Sequence, residues 1–241
     1  MGESPLPEYH PPVTSSQNNA PFAVLLAVSA VGFLAVPFLI VLAPIEPTMG
    51  IIQKIFYFHA PIAWLLLLST GVCAAGSIAY LFAGSDGGDR LAHASAELGV
   101  LFGACTLVTG PMWARVAWGV FWTWDARLTS SLLLWLMLVA YLLARRYGGP
   151  GAKKLSAALA LFAAADAPLF YVSVNVWRTI HPKTTVVPSL GWPMARVFLS
   201  CLLLFTIFFG VLLMLRLRLE KARVALAELE IAHEDAREAR S

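Results

Sequence analysis

The chain has 241 residues, of which 59% are hydrophobic and 13% are charged, whereas soluble domains carry about 25% charged residues. This composition argues against a soluble enzyme and indicates an integral membrane protein. The net charge of +3 at pH 7 is too small to indicate nucleic-acid binding. Cys73, Cys105 and Cys201 lie in separate apolar runs without CxxC spacing, which predicts buried thiols and excludes a disulfide framework or a zinc site.

The first 20 residues are polar and rich in proline, and they contain no lysine or arginine. A cleaved signal peptide has a basic region before its apolar segment. The sequence therefore predicts a disordered N-terminal tail at residues 1–20, and His10 within it is interpreted as incidental.

Six later segments are long and apolar enough to be transmembrane helices, which require about 20 residues each. Glycine and proline breaks, such as Gly110-Pro111, mark their predicted ends. The predicted fold class is an all-α integral membrane protein, a bundle of six transmembrane helices with an outward-facing aromatic loop. The spans are placed at about 21–43, 60–83, 93–111, 129–147, 154–175 and 193–216.

Residues 217–241 are predicted to form a charged helical tail on the cytoplasmic side. Apolar residues from Leu215 to Leu229 recur in alternating steps of four and three, as on one face of a helix. This stripe indicates either a helix docked on its own protein or a contact with a partner.

Basic residues predict the orientation of the bundle. Lysines and arginines are enriched in cytoplasmic loops of membrane proteins. More of them lie in segments that become cytoplasmic when both termini are placed on that side. We therefore expect a multi-pass protein of the bacterial cytoplasmic membrane with both termini in the cytoplasm.

This topology brings three unusual segments to the outer side. One carries His59 in "FYFHAPIAW", and another carries His181 in "NVWRTIHPKTT". The third, residues 118–128, reads "WGVFWTWDARL" and contains Trp118, Trp122 and Trp124. By itself, each feature has an ordinary explanation, because tryptophan accumulates at membrane interfaces and a lone histidine is most often a surface or capping residue.

Their combination favours a haem site. Tryptophans would supply a flat apolar surface, and two imidazoles are common axial ligands of haem iron. Arg127, Arg178 and Lys183 are candidate partners for the haem propionates, because basic side chains pair with carboxylates. Asp125 is expected to pair with a basic neighbour or to orient the loop.

The stretch "WGVFWTWDARLTS" resembles the tryptophan-rich WWD motif of the haem-handling proteins of cytochrome c maturation. Six spans and a histidine before both the second and the sixth span are similar to the haem-delivery branch of that family (CcmC). The resemblance covers roughly residues 22–216. Phe121 is a departure, because some members carry tryptophan there, and phenylalanine lacks the indole N–H donor.

The resemblance implies a role for several residues. His59 and His181 would be the axial ligands of haem b. Trp118, Trp122, Trp124 and Asp125 would form the platform that holds haem and meets a periplasmic haem chaperone, CcmE. The ABC transporter subunits CcmA and CcmB and the small membrane protein CcmD would be further partners.

Three hypotheses follow. The first is a haem-presenting protein that delivers haem to the chaperone and is not itself an enzyme. The second is a b-type electron-transfer protein. The third is a haem permease, for which Asp166 and Glu97 offer a thin polar path across the membrane. An intramembrane carboxyl indicates function by default, although Asp166 could instead bond to backbone groups freed near Pro168.

Overall fold

The computed structural model describes residues 20–238. Within that range, six helices are long and apolar enough to cross a membrane, which confirms the predicted all-α fold. The predicted N-terminal tail lies outside the described residues, except for Ala20. The helices are α1 (Ala20–Leu42), α2 (Phe56–Ala83), α3 (Asp86–Trp118), α4 (Ala126–Tyr147), α5 (Ala152–Val176) and α6 (Trp192–Glu238). A short 3₁₀ helix at Ile51–Ile55 precedes α2, and another at Thr184–Val186 precedes α6.

Helices α2 and α3 form the centre of the bundle. On one side they pack with α1 and α6 around buried residues such as Leu65, Phe102 and Phe205. On the other side they pack with α4 and α5 around Leu66, Leu138 and a second group of buried residues. α1 carries many exposed aliphatic side chains, as expected for a helix in contact with lipid.

Both ends of the third predicted helix differ clearly from the observed helix, since α3 begins at Asp86, seven residues before the predicted start at residue 93. α3 continues through Pro111 and ends at Trp118, seven residues after the proline. A proline lacks one backbone donor but does not always end a helix in a membrane protein, where neighbouring groups satisfy the freed carbonyl. α6 runs without a break from Trp192 to Glu238, so the charged tail is a continuation of the sixth helix.

The loop between α3 and α4 is delimited by a glycine and an aspartate. Gly119 follows α3 with a φ of 80°, a left-handed conformation that glycine adopts without steric cost. Asp125 is the N-cap of α4, and its Oδ1 accepts a hydrogen bond of 2.9 Å from the backbone N–H of Leu128. Residues 119–125 between them are not helical, so the aromatic stretch is an ordered turn between two helices.

Two glycines allow α2 and α3 to approach closely. A Cβ atom added at Gly76 would lie 2.5 Å from the carbonyl oxygen of Gly88, and one added at Gly88 would lie 2.7 Å from the carbonyl oxygen of Gly76. Small residues at such crossings let helix backbones come together in membranes. The central helix pair therefore depends on the absence of side chains at these two positions.

Ion pairs join the helices at the end of the bundle opposite the aromatic loop. The guanidinium of Arg145 on α4 binds both carboxylate oxygens of buried Asp89 on α3, at 2.6 and 3.0 Å. Lys153 on α5 lies 3.2 Å from the same carboxylate. Arg216 on α6 pairs with Glu97 on α3, so Glu97, one of the two predicted intramembrane acids, has a basic partner.

Asp166, the second predicted intramembrane acid, is buried on α5. Its Oδ2 atom has no hydrogen-bond partner among residues 20–238. An interior carboxyl of this kind is costly when charged.

The glycine contact between α2 and α3 leads to a stability prediction. We expect Gly76→Ala to lower the free energy of unfolding by about 1–3 kcal/mol, because the added methyl group overlaps the α3 backbone. Gly71→Ala is the matched control, since a Cβ there has no heavy atom within 4 Å. Denaturation in detergent micelles measures both variants, and equal stability of the two would contradict the prediction.

Candidate functional site

His59 lies in the first turn of α2, buried against α3. Its Nδ1 atom is 2.8 Å from the hydroxyl of Thr109. The ring of Trp113 meets the imidazole edge to face, with 5.8 Å between the centroids. Thr109 lies just before Gly110-Pro111 and Trp113 just after it, so the continuation of α3 past the predicted end supplies one of these two neighbours of His59.

His181 lies in the loop between α5 and α6. Its Nδ1 atom is 2.8 Å from the carbonyl oxygen of Pro182. A carbonyl can only accept, so Nδ1 carries the proton and Nε2 of the neutral ring has a free lone pair. Burial and the nearby charge of Arg127 lower the pKa of His181 to about 3, which keeps the imidazole neutral at physiological pH.

Asp125 connects the aromatic loop with the loop that carries His181. Its Oδ2 accepts hydrogen bonds from the hydroxyls of Thr123 at 2.9 Å and Thr179 at 2.7 Å, while Oδ1 caps α4. The Thr179 hydroxyl accepts in turn from the backbone N–H of His181, at 3.0 Å. Burial raises the pKa of the Asp125 carboxyl, but these hydrogen bonds lower it by more, so the net pKa lies below its ordinary value.

Two adjoining cavities lie beside the two histidines. The larger has a volume of about 490 Å³, within the range of about 300–1,000 Å³ that is typical of small-molecule sites. The smaller has a volume of about 60 Å³. The cavities share a wall of mainly apolar residues around the two histidines: His59, Ala63, Trp113, Arg127, Phe170, His181 and Pro182.

The aromatic stretch divides into an inner and an outer part. Trp118 and Trp122 line the smaller cavity, and the Nε1 donor of Trp122 is buried without a partner in the described part of the chain. Trp124 is 78% exposed and meets Trp122 edge to face at 5.7 Å. Phe121 is also exposed, with the guanidinium of Arg115 5.5 Å from its ring centroid.

The three candidate propionate partners have different positions. Arg127 lines both cavities, donates to the carbonyl of Phe170 and stacks on the Phe170 ring at 3.6 Å. Lys183 lines the larger cavity. Arg178 is exposed and lies outside the wall of either cavity. Arg127 is thus the basic residue most closely associated with both histidines.

The donor set distinguishes haem from a bare metal ion. Residues 20–238 contain no group of three or more histidine, cysteine, aspartate or glutamate side chains suited to a metal ion. Protein sites for bare ions generally need three or four such ligands. Haem iron already has four porphyrin nitrogens and needs only one or two axial ligands, so two histidines beside a large apolar cavity fit haem.

Sequence reasoning missed three neighbours of His59: Thr109, Gly110 and Trp113. A Cβ added at Gly110 would lie 3.1 Å from Cε1 of His59. The sequence predicts a helix end at Gly110-Pro111, and a helix that ends at residue 111 cannot place Thr109 and Trp113 on one face, although their i, i+4 spacing does so in the longer α3.

Comparison with known proteins gives the family. The model for CcmC, described as "Heme exporter protein C", matches residues 8–237. The chain belongs to this family.

Curated relatives agree with the family model. "Heme exporter protein C" of Bradyrhizobium diazoefficiens is 36% identical over 173 residues, which cover 71% of this chain and 66% of that protein. The protein of the same name from Haemophilus influenzae is 30% identical, with 82% and 80% covered. A "Putative cytochrome c biosynthesis ccmC-like mitochondrial protein" of Marchantia polymorpha is 34% identical, with 69% and 75% covered. The chain spans about two thirds of the length of the Bradyrhizobium relative.

The link between the two loops can be tested at Thr179. Thr179→Val removes both the hydrogen bond to Asp125 and the acceptor for the His181 N–H. We expect amide hydrogen exchange at Ile180 and His181 to accelerate about 10- to 100-fold, because hydrogen bonds to charged groups contribute about 1.5–3 kcal/mol.

Thr185→Val is the control for this variant, because Thr185 is exposed in the same loop. Exchange rates that are the same in the two variants would show that Thr179 does not hold the loop.

Proposed function

We propose that the protein binds haem at the outer face of the bacterial cytoplasmic membrane and delivers it to a periplasmic haem chaperone during c-type cytochrome biogenesis. Membership of a family described as heme exporter protein C and the names of relatives in cytochrome c biosynthesis support haem handling in this process. The chaperone CcmE, the transporter subunits CcmA and CcmB, and CcmD are the proposed partners. Both termini are proposed to be cytoplasmic.

The observation that carries the proposal is the pairing of His59 and His181 beside one apolar cavity. One residue lies in the first turn of α2 and the other in the loop between α5 and α6, 122 positions apart in the chain, yet they share the wall of both cavities. An ordinary surface or capping role would not require them to meet. In the proposed site, His59 and His181 would hold haem b, with Nε2 of each ring available to bind its iron.

The remaining residues of the proposed site supply apolar area and charge. Trp118 and Trp122 present indole surface from the aromatic loop, and Phe170 does so from α5. The charge of Arg127 offsets that of a propionate, and the unpaired Nε1–H of Trp122 is available to donate to a carboxylate. Asp125 acts on the site by holding the two loops together.

Delivery requires that haem can leave. His181 lies on a loop and is half-buried, whereas His59 is buried on a helix. Movement of the His181 loop would open the site without disturbing the bundle, because loops are the elements that move most readily. We propose that covalent attachment takes place on the chaperone and that this protein supplies position and protection from water.

The ligand assignment predicts a loss of bound haem. His59→Ala and His181→Ala should each remove or strongly reduce the Soret and visible bands of the purified protein, because one axial bond is lost. Absorption spectra normalised to protein concentration measure the effect. His233→Ala on the exposed end of α6 is the control. Unchanged spectra in both site variants would contradict the ligand assignment.

The two parts of the aromatic stretch predict different phenotypes. Trp122→Ala should lower haem content because Trp122 lines the cavity. Trp124→Ala should keep haem but reduce copurification of the chaperone and its loading, because an exposed tryptophan is a typical contact residue at protein interfaces. Haem spectra and chaperone pull-down from membranes separate the two effects, and identical losses in both variants would contradict this division.

A further inference from the structure

We infer that Thr109 is a positioning residue for His59, which fixes the imidazole tautomer so that Nε2 is unprotonated and can bind haem iron. The inference rests on the proposed function for the role of His59 as a ligand. The hydrogen bonding itself can be tested in the protein without haem. Two further α3 groups, the backbone of Gly110 and the ring of Trp113, restrict the position of the imidazole.

The direction of the hydrogen bond follows from the other partner of Thr109. A threonine hydroxyl has one proton to donate and two lone pairs with which to accept. The Thr109 hydroxyl donates to the carbonyl oxygen of Cys105 at 2.8 Å, the bond from a residue to the carbonyl four positions earlier that is common for threonine in helices. Its proton is therefore engaged, and the oxygen has only lone pairs to offer His59.

His59 must then be the donor in the 2.8 Å contact with Thr109. A neutral imidazole has one protonated and one bare nitrogen. Placing the proton on Nδ1 leaves Nε2 bare, which is the form that ligates iron. Histidines bound to metals generally donate their second ring N–H to a protein acceptor in this way.

The position of the ring is restricted from the same helix. The Cε1 atom of His59 would lie 3.1 Å from a Cβ at Gly110, and Nε2 would lie 3.8 Å from it, so this ring edge packs on bare backbone. Trp113 contacts the ring edge to face at an interplanar angle of 67°. Residues 109, 110 and 113 belong to one turn of α3, which serves as a cradle for His59.

The two proposed ligands are oriented by different groups. His181 donates Nδ1–H to the backbone carbonyl of Pro182, which no side-chain substitution removes. His59 donates to a side chain. A substitution at Thr109 therefore changes one ligand and leaves the other as an internal reference within the same molecule.

The decisive experiment uses the full-length, haem-free protein with ¹⁵N-labelled histidine in lipid nanodiscs. Nitrogen NMR distinguishes the bare from the protonated ring nitrogen, and loss of signals in His59→Gln assigns them. In the wild type, we expect bare Nε2 and protonated Nδ1 for both His59 and His181. In Thr109→Val, the His59 signals should shift towards the opposite tautomer, while the His181 signals stay unchanged.

Haem titration of the same proteins gives the functional readout. Thr109→Val should weaken haem binding about 10- to 100-fold, the usual effect of losing a hydrogen-bond partner of a metal-bound histidine. Thr109→Ser keeps the hydroxyl and should restore both the tautomer and the affinity. Thr70→Val is the matched control. Buried Thr70 on α2 donates to the carbonyl of Leu66 at 2.9 Å, the same type of bond that Thr109 makes to Cys105 on α3.

A Gly110→Ala variant changes the position of the His59 ring without changing its tautomer. The added methyl group displaces the His59 ring but leaves its Thr109 acceptor in place. We expect weaker haem binding with the Nδ1-protonated form retained. Unchanged haem affinity in this variant would overturn the cradle role of Gly110.

The outcomes separate the inference from the proposed function. A bare Nδ1 on His59 in the wild type, or equal haem affinity in Thr109→Val and Thr70→Val, would overturn the role of Thr109 even if His59→Ala abolishes haem binding. Unchanged haem binding in His59→Ala would instead refute the ligand assignment and, with it, the role of Thr109 towards haem.

Discussion

The carboxylate of Asp125 joins the two loops at the end of the bundle that carries the aromatic stretch. One oxygen caps α4, and the other accepts hydrogen bonds from the threonines on either side of the site, Thr123 in the aromatic loop and Thr179 beside His181. A carboxylate has enough lone pairs for all of these bonds, which a neutral side chain lacks. The aromatic loop and the His181 loop are therefore held against each other by side-chain hydrogen bonds, although neither loop is a helix or a strand.

The bilayer made much of the fold predictable. Six long apolar segments allow few arrangements other than a helical bundle, and the positions of His59, His181 and the tryptophans relative to helix ends follow from counting segments. The end of α3 was harder to predict, because Gly110-Pro111 is a typical stop signal that tertiary packing overrides. The sequence also could not show that Asp125 binds hydroxyls and amides, since the partner Thr179 is 54 residues away and threonine has no charge that would identify it.

The division of the aromatic stretch was likewise beyond sequence reasoning. Trp118, Trp122 and Trp124 are the same residue type, but Trp118 ends α3 before the left-handed turn at Gly119, whereas the other two lie between that turn and the cap at Asp125. Two rings face a cavity and one faces outwards. Arg127 and Arg178 show the same effect, because one lines both cavities and the other is exposed. Residue type singled out this stretch, and backbone geometry gives its members their different positions.

The length of α6 has a mechanical consequence. A helix of 47 residues is about 70 Å long at a rise of 1.5 Å per residue, more than twice the roughly 30 Å thickness of a bilayer core. Its first turns contribute Phe198 to the wall of the larger cavity, and the residues of its last turns are exposed. After Pro193, it contains no proline and a single glycine, Gly210. The wall beside the proposed haem ligands and the exposed, charged end of α6 are therefore parts of one continuous helix, so a displacement of one end would be carried along the helix to the other.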